Sequence, residues 1–158
     1  MKQIILLMFF LLAACSFENK EAKIGEKSKE LSARDIQGNP VFLKDSQEKV
    51  KVIVFFQNGC TSCLKELPMF DAFIEQNKDK IAVYAVNSFD NAEVIATLAQ
   101  QLELKNIKVL KDDLNITSQR YQIFATPTTI FIKDGIIQQR ILGEKSWEFI
   151  ESKLIALL

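Results

Sequence analysis

The stretch Val50-Lys51-Val52-Ile53-Val54-Phe55-Phe56 is almost continuously apolar and rich in β-branched residues, the pattern of a strand buried on both faces of a sheet. After Gln57-Asn58-Gly59 the apolar positions become Leu64, Leu67, Phe70, Phe73 and Ile74. That is the helical period, with Pro68 inside it as an expected kink. Ile81 to Val86 predicts a second strand, and Ala92, Ile95, Leu98, Ala99 and Leu102 predict a second helix. Ile107 to Leu110 reads as a short third strand, followed by a polar helical stretch that ends at Tyr121. A strand from Pro127 to Lys133, a turn at Asp134-Gly135 and a strand from Ile136 to Leu142 follow, and Trp147, Ile150, Leu154 and Leu158 mark a closing amphipathic helix. Upstream, Leu31 to Asp35 and Pro40 to Leu43 flank Gln37-Gly38-Asn39, whose turn composition predicts a small hairpin. The order hairpin, βαβαβα, ββα predicts an α/β fold with a mixed sheet. At 158 residues the chain accommodates one such domain, placed at residues 31–158.

The N-terminus follows a different rule. Met1-Lys2-Gln3 precedes eleven apolar residues from Ile4 to Ala14, a basic start and an apolar run of signal-peptide length that is too short to span a bilayer as a helix. It ends in Leu12-Ala13-Ala14-Cys15, which resembles a bacterial lipobox. That resemblance implies removal of residues 1–14 and lipidation of Cys15; an ordinary secretory signal cut nearby is the alternative. Two or three acyl chains, at about 0.8 kcal/mol per buried methylene, would make the attachment effectively permanent. Glu18 to Glu30 carries eight charges in thirteen residues, so residues 15–30 read as a lipid anchor and a solvated tether.

Composition narrows the chemistry. Twenty basic and twenty acidic residues cancel, leaving no excess positive field for a nucleic-acid backbone. There is no histidine, which excludes Ser-His-Asp and Cys-His catalysis, His-ligated metals and C-x-x-C-H haem attachment. Neither a metal nor a cofactor is expected.

The remaining chemistry centres on Cys60-Thr61-Ser62-Cys63, where the buried strand hands over to a helix. C-x-x-C beside a βαβ pattern is a redox signature. The spacing puts both sulfurs on one side of the first helical turn, with Cys60 at the positive N-terminal end, where a thiolate is stabilised. Cys60 is therefore the candidate nucleophile and Cys63 the resolving thiol. Two alternatives stay open. A purely structural disulfide over so short a loop would constrain the unfolded chain little, and a zinc site would need two further ligands that the mature sequence does not offer.

The chain resembles the TlpA/ResA-like family of membrane-tethered extracytoplasmic thiol-disulfide oxidoreductases of the thioredoxin fold. Residues 31–63 follow that family's hairpin, basic residue, buried strand and C-x-x-C. Leu64-Lys65-Glu66-Leu67-Pro68 completes its C-x-x-C-x-x-E-x-P signature, and Ala125-Thr126-Pro127-Thr128-Thr129 resembles its cis-proline segment. The resemblance implies that Pro127 is a cis-proline facing the cysteines and that Thr126 and Pro127 present a backbone edge to an extended substrate. A trans, strand-initiating Pro127 is the alternative. It implies for Glu66 a role in moving protons to and from the thiols; a Glu stabilised by the helix dipole alone is the competing reading. It further implies client proteins with cysteine pairs, such as apocytochromes c or copper-site proteins, a membrane thiol electron carrier as reductant, a monomeric state and a periplasmic location on a membrane.

Two departures from the family pattern stand out: Gln57-Asn58-Gly59 replaces the Trp usual before the first Cys, and Thr61-Ser62 lacks the proline common in the dipeptide. Where thioredoxin proper has a buried acid near the start of the central strand, this chain offers only Val and Lys, which leaves Glu66 as the nearby candidate carboxylate. An oxidant or isomerase and a non-enzymatic binding lipoprotein are the competing functions. A peroxidase would need a P-x-x-x-T-x-x-C setting that is absent. Asp113-Leu114-Asn115-Ile116-Thr117 contains an N-x-T glycosylation pattern, for which turn and helix-capping chemistry is the plainer reading.

Overall fold

The structure, a computed structural model, describes residues 22–158; the apolar leader and Cys15 lie outside them. Seven strands, β1 (Ala33–Asp35), β2 (Pro40–Val41), β3 (Val50–Phe56), β4 (Ile81–Asn87), β5 (Lys108–Asp112), β6 (Thr128–Lys133) and β7 (Ile136–Leu142), form one sheet in the order β2-β1-β5-β4-β3-β6-β7. β3, β4 and β5 are parallel and the other pairings antiparallel, so the sheet is mixed, as the element order predicts. Four helices accompany it: α1 (Thr61–Asn77), α2 (Ala92–Gln101), α3 (Ile116–Arg120) and α4 (Trp147–Leu157).

Alternation along β3 divides the core in two. Val52, Val54 and Phe56 point to one face, where α1 contributes Leu67, Phe70 and Ile74, α2 contributes Ile95 and Leu98, and α4 contributes Ile150 and Leu154. Ile53 and Phe55 point to the other face with Tyr84, Val86, Ile130 and Ile132. Both parallel crossovers, β3-α1-β4 and β4-α2-β5, lay their helices on the first face. Among the described residues, the second face is covered by short helical pieces, the five-residue α3 and a 3₁₀ turn that buries Leu43.

The N-terminal segment covers the rest of that face, which corrects the reading of residues 22–30 as free tether. Ala22 and Leu31 are buried in the second core. Gly25 and Ser28 donate their N–H groups to the carbonyls of Ile137 and Gly135, and Ile137 donates to Glu26. Lys27 makes a bridge to Ile136 at the outer edge of β7. The chain then crosses to β1, and on the way the Lys29 carbonyl accepts the Tyr121 hydroxyl at 2.5 Å while that of Glu30 accepts Arg120. Most of the docking is done by main-chain groups, joined by the Glu30 carboxylate, which accepts the Leu43 and Lys44 N–H groups, so composition alone points to a tether where the fold has a strap.

Other boundaries shift modestly. The hairpin arms shorten to β1 and β2, with a 3₁₀ turn at Leu43–Asp45. β5 extends to Asp112, and the polar helical stretch before Tyr121 is only α3. α1 begins three residues before the first periodic apolar position and runs through Pro68.

Candidate functional site

β3 delivers the chain to the C-terminal edge of the parallel strands, where α/β folds place their chemistry. The turn from Gln57 to Cys60 is closed by the Cys60 N–H on the Gln57 carbonyl at 3.3 Å. It needs Gly59, whose φ of +80° is strained for any residue with a Cβ. Cys60 is the N-cap of α1, and its sulfur accepts the Cys63 N–H at 3.3 Å. The two cysteines form a disulfide, with Cα atoms 5.3 Å apart. Cys63 is fully buried, whereas Cys60 keeps 9% of its surface. No acidic residue stands in the first turn of α1 to oppose the helix dipole at Cys60.

Three residues beyond Cys63 on α1, Glu66 is 8% exposed. Three buried carboxylates can be compared. Asp71 accepts the N–H groups of Lys105, Asn106 and Ile107, and Asp112 accepts those of Thr117 and Ser118 and the Ser88 hydroxyl. Glu66 alone has a buried oxygen, Oε1, without a hydrogen-bond partner. Burial pushes its pKa up to about 7; Thr129 on β6 works the other way, and Glu144 adds to the rise. A carboxyl that exchanges its proton near neutral pH, less than one turn from Cys63 on the same helix, can serve as a general acid or base.

A folded-state pKa raised from 4.5 to about 7 makes the protonated form the stabilised one. That contribution is complete below about pH 4.5 and is lost as pH rises through 7. Glu66→Gln is therefore expected to flatten the decline in stability between pH 5 and 8, and to slow thiol exchange while removing a rate inflection near pH 7. An inflection that persists in the variant would leave Glu66 outside the proton path.

The Thr126–Pro127 peptide bond is cis. Thr128, the first residue of β6, pairs with Phe55, which sets Pro127 beside the strand end from which the cysteine turn departs. Cys60, Cys63, Glu66, Thr126 and Pro127 thus gather at one end of β3 and β6. Cys15 lies outside the described residues.

Sequence reasoning missed what holds the turn that stands where the family has Trp. The Asp90 carboxylate accepts the Asn58 N–H and the Asn87 side-chain amide, each at 2.7 Å. The Asn87 oxygen accepts the N–H groups of Phe89 and Asp90, an Asx turn. The β4–α2 loop therefore braces the segment before Cys60. Asn-x-x-Asp at a strand end was the available signal, but nothing local tells which loop it grips. The N-x-T segment also differs from its reading. Asn115 makes no capping bond and Asp112 caps α3 instead, while Thr117 is fully buried with its hydroxyl accepting the Ser32 N–H.

Among the described residues no cluster of Cys, Asp and Glu is arranged to hold a metal ion, and no helix is long and apolar enough to cross a membrane.

Residues 24–140 match the AhpC/TSA family. The chain is 27% identical over 141 residues to the thiol-disulfide oxidoreductase ResA of Bacillus cereus, covering 87% of this chain and 81% of that one. A conserved Geobacillus kaustophilus protein of known structure superposes with a TM-score of 0.75 at 19% identity, over 87% of this chain and 83% of that one. The exposed lipoprotein thioredoxin Etrx1 of Streptococcus pneumoniae superposes with a TM-score of 0.71 at 23% identity, over 82% of this chain and all of that one. With its thioredoxin-like sheet and its Cys60–Cys63 pair at the head of α1, the chain belongs to the AhpC/TSA family and is a thiol-disulfide oxidoreductase.

Proposed function

We propose that the protein is a lipid-anchored, extracytoplasmic reductase of client-protein disulfides, with Cys60 as nucleophile and Cys63 as resolving thiol. The observation that carries this reading is the asymmetry of the pair: Cys60 caps the helix and retains exposed surface, while Cys63 is enclosed. In the reduced protein the Cys60 thiolate attacks a client disulfide. The client S–S bond breaks, one client sulfur leaves as a thiolate and takes up a proton, and a mixed disulfide forms. Cys63 gives up its proton, attacks the Cys60 sulfur and expels the second client thiolate. The client gains two electrons and the Cys60–Cys63 disulfide results. Glu66 is the group that accepts the Cys63 proton, and Thr126 and Pro127 offer the main-chain edge along which an extended client lies. A membrane thiol carrier restores the dithiol. Clients with cysteine pairs needed as thiols, such as haem- or copper-receiving proteins, fit this direction of transfer.

Support for the anchor comes from the Leu12-Ala13-Ala14-Cys15 pattern and from the similarity to a lipoprotein thioredoxin. Cys15→Ala is expected to leave an unprocessed precursor or to release the protein from the membrane, read by fractionation and mobility. A processed, membrane-bound variant would refute the lipidation.

The direction of transfer is tested in cells. Cys63→Ser should accumulate mixed disulfides on Cys60, which identify the clients, and those clients should become more oxidised when the protein is absent. Clients that become more reduced instead would make the protein an oxidant.

A further inference from the structure

We propose that a groove beside the cysteine end recognises an extended, uncharged client segment that carries an aromatic or large aliphatic residue near its cysteine. The proposal names the substrate class of the thiol-exchange site and rests on that reading. The groove has a volume of about 520 Å³ and lies between the β4–α2 loop and the α3–β6 connection. None of its lining side chains is charged, whereas four other surface cavities each carry at least one charged residue.

Its apolar part is formed by Phe89, Ile123 and Phe124. Phe89 is 61% and Phe124 86% exposed, a large apolar surface to leave in water on two rings that line one groove. Asn115, Gln119 and Gln122 supply amides, which both donate to and accept from a peptide main chain. The lining thus matches a polypeptide with an apolar side chain, and it offers no counter-charge to an ionic ligand.

Position ties the groove to the redox centre. Phe89 adjoins Asp90, which holds the Asn58 N–H two residues before Cys60. Phe124 stands two residues before Thr126 and its cis bond to Pro127. A segment whose cysteine meets Cys60 therefore has this groove within a few residues' reach, at about 3.3 Å per residue.

The exposed rings are not on a loose loop. Arg140 of β7 donates to the carbonyls of Tyr121 and Gln122, each at 2.6 Å, and the Ile123 N–H donates to the Ser118 carbonyl. Behind the lining, the Asp112 carboxylate, itself buried and outside the groove, joins the Ser88 hydroxyl to the N–H groups of Thr117 and Ser118. A fixed groove loses little entropy when a client is seated.

The test uses four cysteine peptides, each activated as a mixed disulfide with thionitrobenzoate, whose release is followed by absorbance. One has Phe on both sides of the cysteine, one Ser, one Glu and one Lys. The reduced protein should react about tenfold faster with the Phe peptide than with the Ser peptide, and more slowly with the Glu peptide. Phe89→Ser with Phe124→Ser should bring the Phe-to-Ser ratio close to one, and Phe124→Glu should favour a Lys-flanked peptide over the Phe one. Equal rates for all peptides in the unaltered protein, or a ratio that survives both sets of substitutions, would overturn the groove. Failure to release thionitrobenzoate from any peptide would instead strike the thiol-exchange reading on which the groove depends.

Discussion

Replacing Cys60 by Ser is expected to lower insulin-disulfide reduction by at least about three orders of magnitude while the fold persists. The two halves of this expectation rest on different magnitudes. A disulfide across so short a loop removes only about 2 kcal/mol of unfolded-chain entropy, and Cys60 sits at the edge of the core with part of its surface in water. Stability should therefore change little. The sulfur at the helix N-terminus is, in contrast, the only one of the pair placed to meet another molecule, since Cys63 is enclosed. Cys63→Ser should leave the first attack intact and block resolution, so that a stoichiometric burst replaces turnover. Alkylation of the reduced protein should reach Cys60 first, with a rate midpoint below the roughly 8.5 of a free thiol. Faster labelling of Cys63, or a Cys60→Ser protein that still turns over, would reverse the assignment.

A protein shortened to begin at Leu31 should be markedly less stable than one that begins at Ala22. Removing residues 22–30 strips the carbonyl that accepts the Tyr121 hydroxyl and the main-chain bonds to Gly135 and Ile137. A fully buried phenol left unpaired costs about 1–3 kcal/mol by itself, and uncovering the second core adds to it. A loss of about 3 kcal/mol, or roughly 10 °C in Tm at this chain length, is expected. Equal midpoints for the two lengths would show that the domain boundary at Leu31 is adequate and that the strap is ornament.

The contrast between Phe56 and Ala22 shows what the sequence makes legible. β3 is buried on both faces, so its residues are apolar one after another and the strand, its neighbours and the cysteine turn can all be read locally. Leu67, Phe70 and Ile74 likewise announce α1, although its first turn, Thr61-Ser62-Cys63, has no apolar period and is visible only through the C-x-x-C itself. The strap defeats such reading because it docks mainly by N–H and carbonyl groups, which every residue carries, and its side-chain grip, Glu30 on the Leu43 and Lys44 N–H groups, spans 13 residues or more. Glu66 is legible as a residue of a motif, but its burial against Thr129 depends on β6 lying next to β3, a pairing across 73 residues or more that no local pattern encodes. Asp90 is hidden for the same reason: its partner Asn58 is 32 residues away.

Open sheets carry a hazard at their two outer strands, whose free N–H and carbonyl groups invite another copy to zip on. This molecule guards its borders unequally. On one side β2 is only two residues long and opens with Pro40, which has no N–H to offer. On the other, β7 is seven residues long, and the strap occupies the start of its outer border through Lys27 and Gly25. Beyond it, the next exposed residue of the strand is the polar Gln138. The segment that closes the second core thus also acts as a gatekeeper against edge-to-edge aggregation, so a protein that loses it should precipitate at concentrations the intact one tolerates, even below its melting temperature.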